Sequence, residues 1–184
     1  MTPKPTPPPA KKLPPNPDVV LIHDSICKHI NPGILSKHNL VTTKILAYTL
    51  EEAQQKIDEM NISNPKVVIL NVGTNDVRDK VDPDVIVRKY GTILDLLRRK
   101  FPNAKLIFSN ILPREDSNDL QATVEYVNAV AYRKLAAKRH AVVKNNELSG
   151  NKLKSKDGIH LSTLGVSRLA CSIRDSVLSV LGLK

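Results

Sequence analysis

Tryptophan is absent from this 184-residue chain, phenylalanine occurs twice, and aromatic residues make up only 3% of it. A base-stacking platform for single-stranded nucleic acid needs several exposed rings, so the composition argues against that mode of binding. There are two cysteines, Cys27 and Cys171. They are too few to staple a small secreted fold and lack the clustered Cys/His spacing of a structural zinc site. A reducing, cytoplasmic setting fits that usage. No run approaches the ~18 apolar residues of a membrane span, and the start of the chain lacks the apolar segment of a signal peptide. Phosphate-loop signatures of the Gly-x-x-x-x-Gly-Lys-Ser/Thr or Gly-x-Gly-x-x-Gly type do not occur. His29, His38 and His140 show no ligand spacing with acidic partners, so neither a metal nor a cofactor is expected.

With 41% hydrophobic and 25% charged residues, the chain has ordinary globular composition and a length near that of one domain. Residues 1–17 hold eight of the thirteen prolines and three lysines with no acid. Such a segment favours extended polyproline II and reads as a linker or tail, with the folded domain over 18–184 and a longer parent chain around it. The net charge of +10 is uneven. Asp18 to Tyr132 carries 14 basic and 15 acidic side chains, whereas Arg133 to Lys156 carries eight basic ones against Glu147 alone. Arg133, Lys134, Lys138, Arg139, Lys144, Lys152, Lys154 and Lys156 are therefore candidates to meet RNA or an anionic membrane, though a solvated helix face and loop is the plainer explanation.

Short apolar runs alternate with helical patterns. Val19–Ile22, Val67–Leu70 and Leu106–Phe108 are nearly continuous and β-rich, as parallel strands covered on both faces should be, and Val41–Leu46 and Ala141–Val143 are weaker candidates. Helices are predicted over Thr49–Met60, opened by a Thr49–Glu52 capping box, and over Asp82–Lys100, Ser117–Lys138 and Ser162–Leu181. The alternation predicts an α/β sandwich with helices on both faces of a mostly parallel sheet. Sites in such folds lie at the carboxyl ends of strands. Three polar clusters converge there: His23-Asp24-Ser25, Gly73-Thr74-Asn75-Asp76, and Asp157-Gly158-Ile159-His160. Each alone is an ordinary cap or turn; their joint placement points to a site.

In that order and spacing the three clusters resemble the blocks of the SGNH or GDSL hydrolases. The run Val20-Leu21-Ile22-His23-Asp24-Ser25-Ile26-Cys27, with the Pro-rich lead-in and basic balance, is similar to the esterase domain in the first-open-reading-frame protein of LINE-type retrotransposons. The resemblance implies a flavodoxin-like, three-layer sandwich around a five-stranded sheet, and a serine esterase acting on short-acyl or lipid esters. It also implies Ser25 as nucleophile, His160 as base, Asp157 as its orienting carboxylate, and an oxyanion hole from the Asn75 amide and the Ser25 N–H. Two departures stand out. His23 occupies the glycine place of the first block, and Leu46-Ala47-Tyr48 has no second-block glycine, leaving the Ala47 N–H as third donor if its backbone permits. The competing expectation is a weakened hydrolase fold that binds RNA or anionic membrane through its basic window. Cys27, two residues past Ser25, reads as a small buried thiol.

Overall fold

The computed structural model describes residues 16–137, 140–145, 147–150 and 152–183. Of the Pro-rich lead-in only Asn16 and Pro17 are among them, and Lys138 and Arg139 of the basic window lie outside them. Strands β1 (Val19–His23), β2 (Thr42–Leu46), β3 (Val67–Asn71), β4 (Lys105–Ser109) and β5 (Ala141–Val143) form one sheet in the order β2-β1-β3-β4-β5. Every pairing is parallel, with Val19 opposite both Thr42 and Val67. Six helices accompany it: α1 (Pro32–Leu35), α2 (Leu50–Glu59), α3 (Thr74–Arg78), α4 (Pro83–Lys100), α5 (Asn118–Ala137) and α6 (Thr163–Val180).

All five residues of β1 and of β3 are buried, because helices cover both faces of the sheet. Alternate residues divide between two cores. Val20, Ile22, Val68, Leu70 and Phe108 pack with Ala53 and Ile57 of α2, Ile86 and Ile93 of α4, and Val127 of α5. Val19, Leu21, Ile69 and Ile107 pack with Leu35 of α1 and Leu169, Ile173 and Val177 of α6. Each fully buried Leu or Ile contributes about 1.5–3 kcal/mol, so these layers fix where the strand ends lie. The result is a three-layer sandwich. Among the described residues no helix is long and apolar enough to cross a membrane.

Local signals set the helix starts. Asp82 Oδ1 accepts the N–H groups of Asp84 and Val85, with Pro83 in the first turn, and Ser162 Oγ accepts that of Gly165. At α2, Thr49 Oγ1 accepts the Glu52 N–H, but the Glu52 carboxylate goes to the N–H of Tyr48 at 2.8 Å, one residue earlier than a capping box requires. The short helices α1 and α3 have too few residues to show an apolar period. Helix α3 begins after Gly73, whose φ of 133° and position 2.3 Å from Tyr90 Oη, measured from where a Cβ would stand, admit no side chain. The Tyr90 hydroxyl donates to Val72 O at 2.5 Å, locking α4 to the end of β3.

Candidate active site

The carboxyl ends of the strands are lined by polar side chains sealed from water. Asn71 of β3 donates to Ser109 Oγ of β4 at 2.6 Å, Asn145 donates to the same oxygen at 2.9 Å, and the Cys27 thiol donates to Asn71 Oδ1 at 3.2 Å. Burial raises the Cys27 pKa well above its ordinary value, which keeps it a thiol and ill-suited to attack. Above this row, Ser25 opens a single 3₁₀ turn directly after β1.

Asp24 caps that turn. Its Oδ1 accepts the Ile26 N–H at 3.0 Å and its Oδ2 the Thr74 N–H at 3.3 Å, tying the Ser25 turn to the start of α3. Asp24 is 1% exposed, and burial pushes its carboxyl up to about 6 against those hydrogen bonds. His23, in the glycine place, is not among the residues with positive φ. It ends β1 paired with Leu46 and Asn71, so no glycine freedom is needed there. Burial holds its imidazole down to about 4, and Nδ1 lies 2.6 Å from Asp24 O.

His160 and Asp157 come from the loop before α6. Asp157 Oδ1 accepts the N–H groups of Ile159 and His160, both at 2.9 Å, and Gly158 takes the left-handed conformation (φ 67°) that closes this turn. Asp157 Oδ2 lies 2.6 Å from His160 Nδ1, and His160 Nε2 lies 3.4 Å from Ser25 Oγ. The His160 hydrogen bond, with the two backbone donors, lowers the Asp157 pKa to about 2. A carboxylate at Nδ1 selects the tautomer whose Nε2 accepts from the serine hydroxyl. At 3.4 Å the contact between Ser25 and His160 is at the long end of a hydrogen bond.

Asn75, in the first turn of α3, donates one Nδ2 hydrogen to Tyr48 O at 2.8 Å. Asp76 accepts the Leu50 N–H at 3.0 Å and so ties α3 to the start of α2 rather than facing Ser25. The Ala47 N–H, the third oxyanion donor that the resemblance leaves open, already has a partner. It donates to His23 O at 2.8 Å as the last rung between β1 and β2, and the next N–H, of Tyr48, is taken by Glu52. Ser25, Asn75 and His160 line a cavity of about 340 Å³, walled also by Tyr48, Thr74, Arg78, Arg114 and Ile159.

Three cations support the site in ways the sequence does not announce. Lys44 of β2 donates to Cys27 O, Lys28 O and Ile30 O at 2.7, 2.9 and 2.8 Å, using all its hydrogens to anchor the chain just past Ser25. Lys154 is 4% exposed and donates to Pro113 O and Ile159 O, beside His160. It therefore leaves the basic window: buried among carbonyls, with burial lowering its pKa to about 8, it cannot face a polyanion. Arg114, 4% exposed, is held by Asp116 and donates to Thr74 O at 3.3 Å. A lysine in the middle of the strand Thr42–Leu46 was a readable signal for Lys44; nothing in the sequence distinguished Lys154 or Arg114. Arg133, Lys134, Lys144, Lys152 and Lys156 are exposed, with Lys144 Nζ 4.6 Å from the Tyr132 ring centre. Among the described residues no cluster of His, Cys, Asp and Glu can hold a metal ion.

The model of the GDSL-like Lipase/Acylhydrolase family matches residues 37–168, a span that includes Asn75, Asp157 and His160 but begins after Ser25. A platelet-activating factor acetylhydrolase IB subunit beta homolog of Drosophila melanogaster is 34% identical over 68 residues, which are 36% of this chain and 29% of that protein. A GDSL-like lipase from Bacteroides thetaiotaomicron superimposes with a TM-score of 0.75 at 19% identity, covering 90% of this chain and 89% of that one. The acetyl xylan esterase AlAXEase does so with a TM-score of 0.68 at 17% identity, covering 86% and 99%. At these identities the structural likeness is one of fold.

Proposed function

This chain belongs to the GDSL-like lipase/acylhydrolase family, and we propose that it is a serine esterase that cleaves carboxylic esters by way of an acyl-enzyme. The observation that carries the reading is the unbroken order Asp157 Oδ2, His160 Nδ1, His160 Nε2, Ser25 Oγ, at 2.6 Å and 3.4 Å, beside the Asn75 amide. In the proposed reaction Ser25 Oγ attacks the ester carbonyl carbon as its proton passes to His160 Nε2, and the carbonyl π pair moves onto oxygen. The free hydrogen of Asn75 Nδ2 and the Ser25 N–H receive that oxyanion, each donor stabilising it by about 3 kcal/mol. Collapse breaks the bond to the leaving alkoxide, which takes the proton from His160. Water then repeats the sequence on the acyl-enzyme, releasing the carboxylic acid and restoring Ser25. Asp157 remains anionic throughout, consistent with a pKa of about 2.

Short-acyl esters suit the small cavity, and lipid esters come into view from the acetylhydrolase relative and from the likeness to retrotransposon esterase domains. In that setting the protein would work in the cytoplasm as one domain of a longer chain, with residues 1–17 as its linker and 18–184 as the esterase. Exposed Arg133, Lys134, Lys144, Lys152 and Lys156 would steer it to a polyanionic surface, RNA or anionic membrane. A 4-nitrophenyl acetate assay tests the catalytic reading: Ser25→Ala should lower the rate by about a hundredfold or more. Equal rates in folded samples exclude it. Binding to RNA or anionic vesicles that is insensitive to salt excludes the steering role.

A further inference from the structure

A second cavity, of about 540 Å³, opens beyond β4 and is lined by Asn110, Val124, Asn128, Ala129 and Tyr132 among others. Arg114 lines this cavity and the smaller one around Ser25 alike. Its guanidinium reaches the Ser25 side, where Nη1 donates to Thr74 O, while its own backbone N–H donates to Gln121 Oε1 on the far side. Two bonds to Asp116, at 3.0 and 2.6 Å, hold the side chain across the gap. Two substituents of a tetrahedral adduct on Ser25 are already directed: the oxyanion towards Asn75 and the leaving oxygen towards His160. The acyl chain is left with the remaining wall of the cavity, of which Arg114 is the residue shared with the second cavity.

We propose that Arg114 is the partition that ends the acyl pocket and makes the esterase selective for short acyl groups, with the larger cavity behind it as latent space for a longer chain. A charged guanidinium satisfied by Asp116 and Thr74 O cannot yield to methylenes without leaving those partners unpaired, so each added methylene is rejected rather than merely unaccommodated. This inference rests on Ser25 being the acyl acceptor.

The test compares kcat/KM for 4-nitrophenyl acetate and 4-nitrophenyl hexanoate. The unaltered chain should prefer acetate by about tenfold or more. In Arg114→Ala the hexanoate-to-acetate ratio should rise by about tenfold, mainly through a lower KM for hexanoate. Adding Ala129→Phe, which sets a ring against the second cavity from an exposed position on its lining, should take that gain away. Arg114→Met, which keeps the stem and removes the charge, should shift the ratio in the same direction and serves if the alanine variant does not fold. An unaltered chain that cleaves both esters equally, or folded variants that lose both alike, would overturn the partition while leaving the esterase standing. Failure of the unaltered chain to cleave either ester removes both.

Discussion

Ser25 follows a capping residue that is 1% exposed, on a turn at the end of the interior strand β1, whereas Asp157 and His160 keep 44% and 48% of their side chains exposed. Among the described residues of their loop the regular pairing is a bridge between Lys154 and Leu161. The nucleophile half is positioned by the sheet: β1 pairs on both sides, Asp24 caps the turn, and Lys44 holds three carbonyls past it. The acid–base half is positioned by a few polar contacts, namely Lys154 on Ile159 O, Glu115 N–H on Gly158 O, and Ser155 N–H on His160 O. Damage to the first half should therefore appear as lost stability, and damage to the second as lost turnover in a folded protein.

The sharpest way to break this comparison is to ask whether the halves act as one unit. Ser25→Ala and His160→Ala should each lower kcat for an acetyl ester by about a thousandfold, and the double variant by no more than either alone. Additive losses would mean that the two side chains work separately. Next come the two lysines. Lys154→Met should reduce kcat/KM by about ten- to thirtyfold, because it loosens the His160 loop, and should lower the melting temperature as well, since it strands the carbonyls of Pro113 and Ile159. Lys44→Met should lower the melting temperature by about 6 °C or more, since it strands three carbonyls at about 1–3 kcal/mol each, and should leave kcat/KM within about threefold. Steady-state kinetics beside thermal unfolding of the same samples separates these outcomes; equal behaviour of the two variants would erase the distinction.

Smaller effects follow from charge and backbone. The Asp157 carboxyl is depressed to about 2 in the folded chain, below an unfolded value near ~3.9. Its contribution to stability is thus present above about pH 4 and is lost as pH falls from about 4 to 2. Acid unfolding curves of the unaltered chain and of Asp157→Asn should converge across that window. Smallest of all, Ala47→Gly restores the family's glycine but leaves its N–H bonded to His23 O. It should change kcat/KM by less than about twofold, and a large gain would show that this N–H does reach the oxyanion.

The contrast also explains what was legible beforehand. Buried strands announce themselves because both faces must be apolar, so Val19–Ile22, Val67–Leu70 and Leu106–Phe108 stood out, and Asp82 and Ser162 marked their helices through side-chain caps. Helix α3 was hidden because its start depends on Gly73 fitting against Tyr90, a contact 17 residues away that leaves no local period. The clusters holding Ser25, Asn75, Asp157 and His160 were visible as polar groups at strand ends. What holds them was not. Lys154 looked like one more cation in a basic run, and only the folded chain reveals its burial against Pro113 and Ile159. The partner of the Ala47 N–H was equally hidden, because nothing local tells that it continues the β1–β2 ladder to His23 O.

The account stands on Ser25 being an activated nucleophile, and a fluorophosphonate probe with mass-spectrometric mapping measures that directly. Covalent label on the peptide carrying Ser25, abolished in His160→Ala and absent from Cys27, is the expected result. A folded chain that takes up no label at Ser25, or takes it up equally without His160, would contradict it.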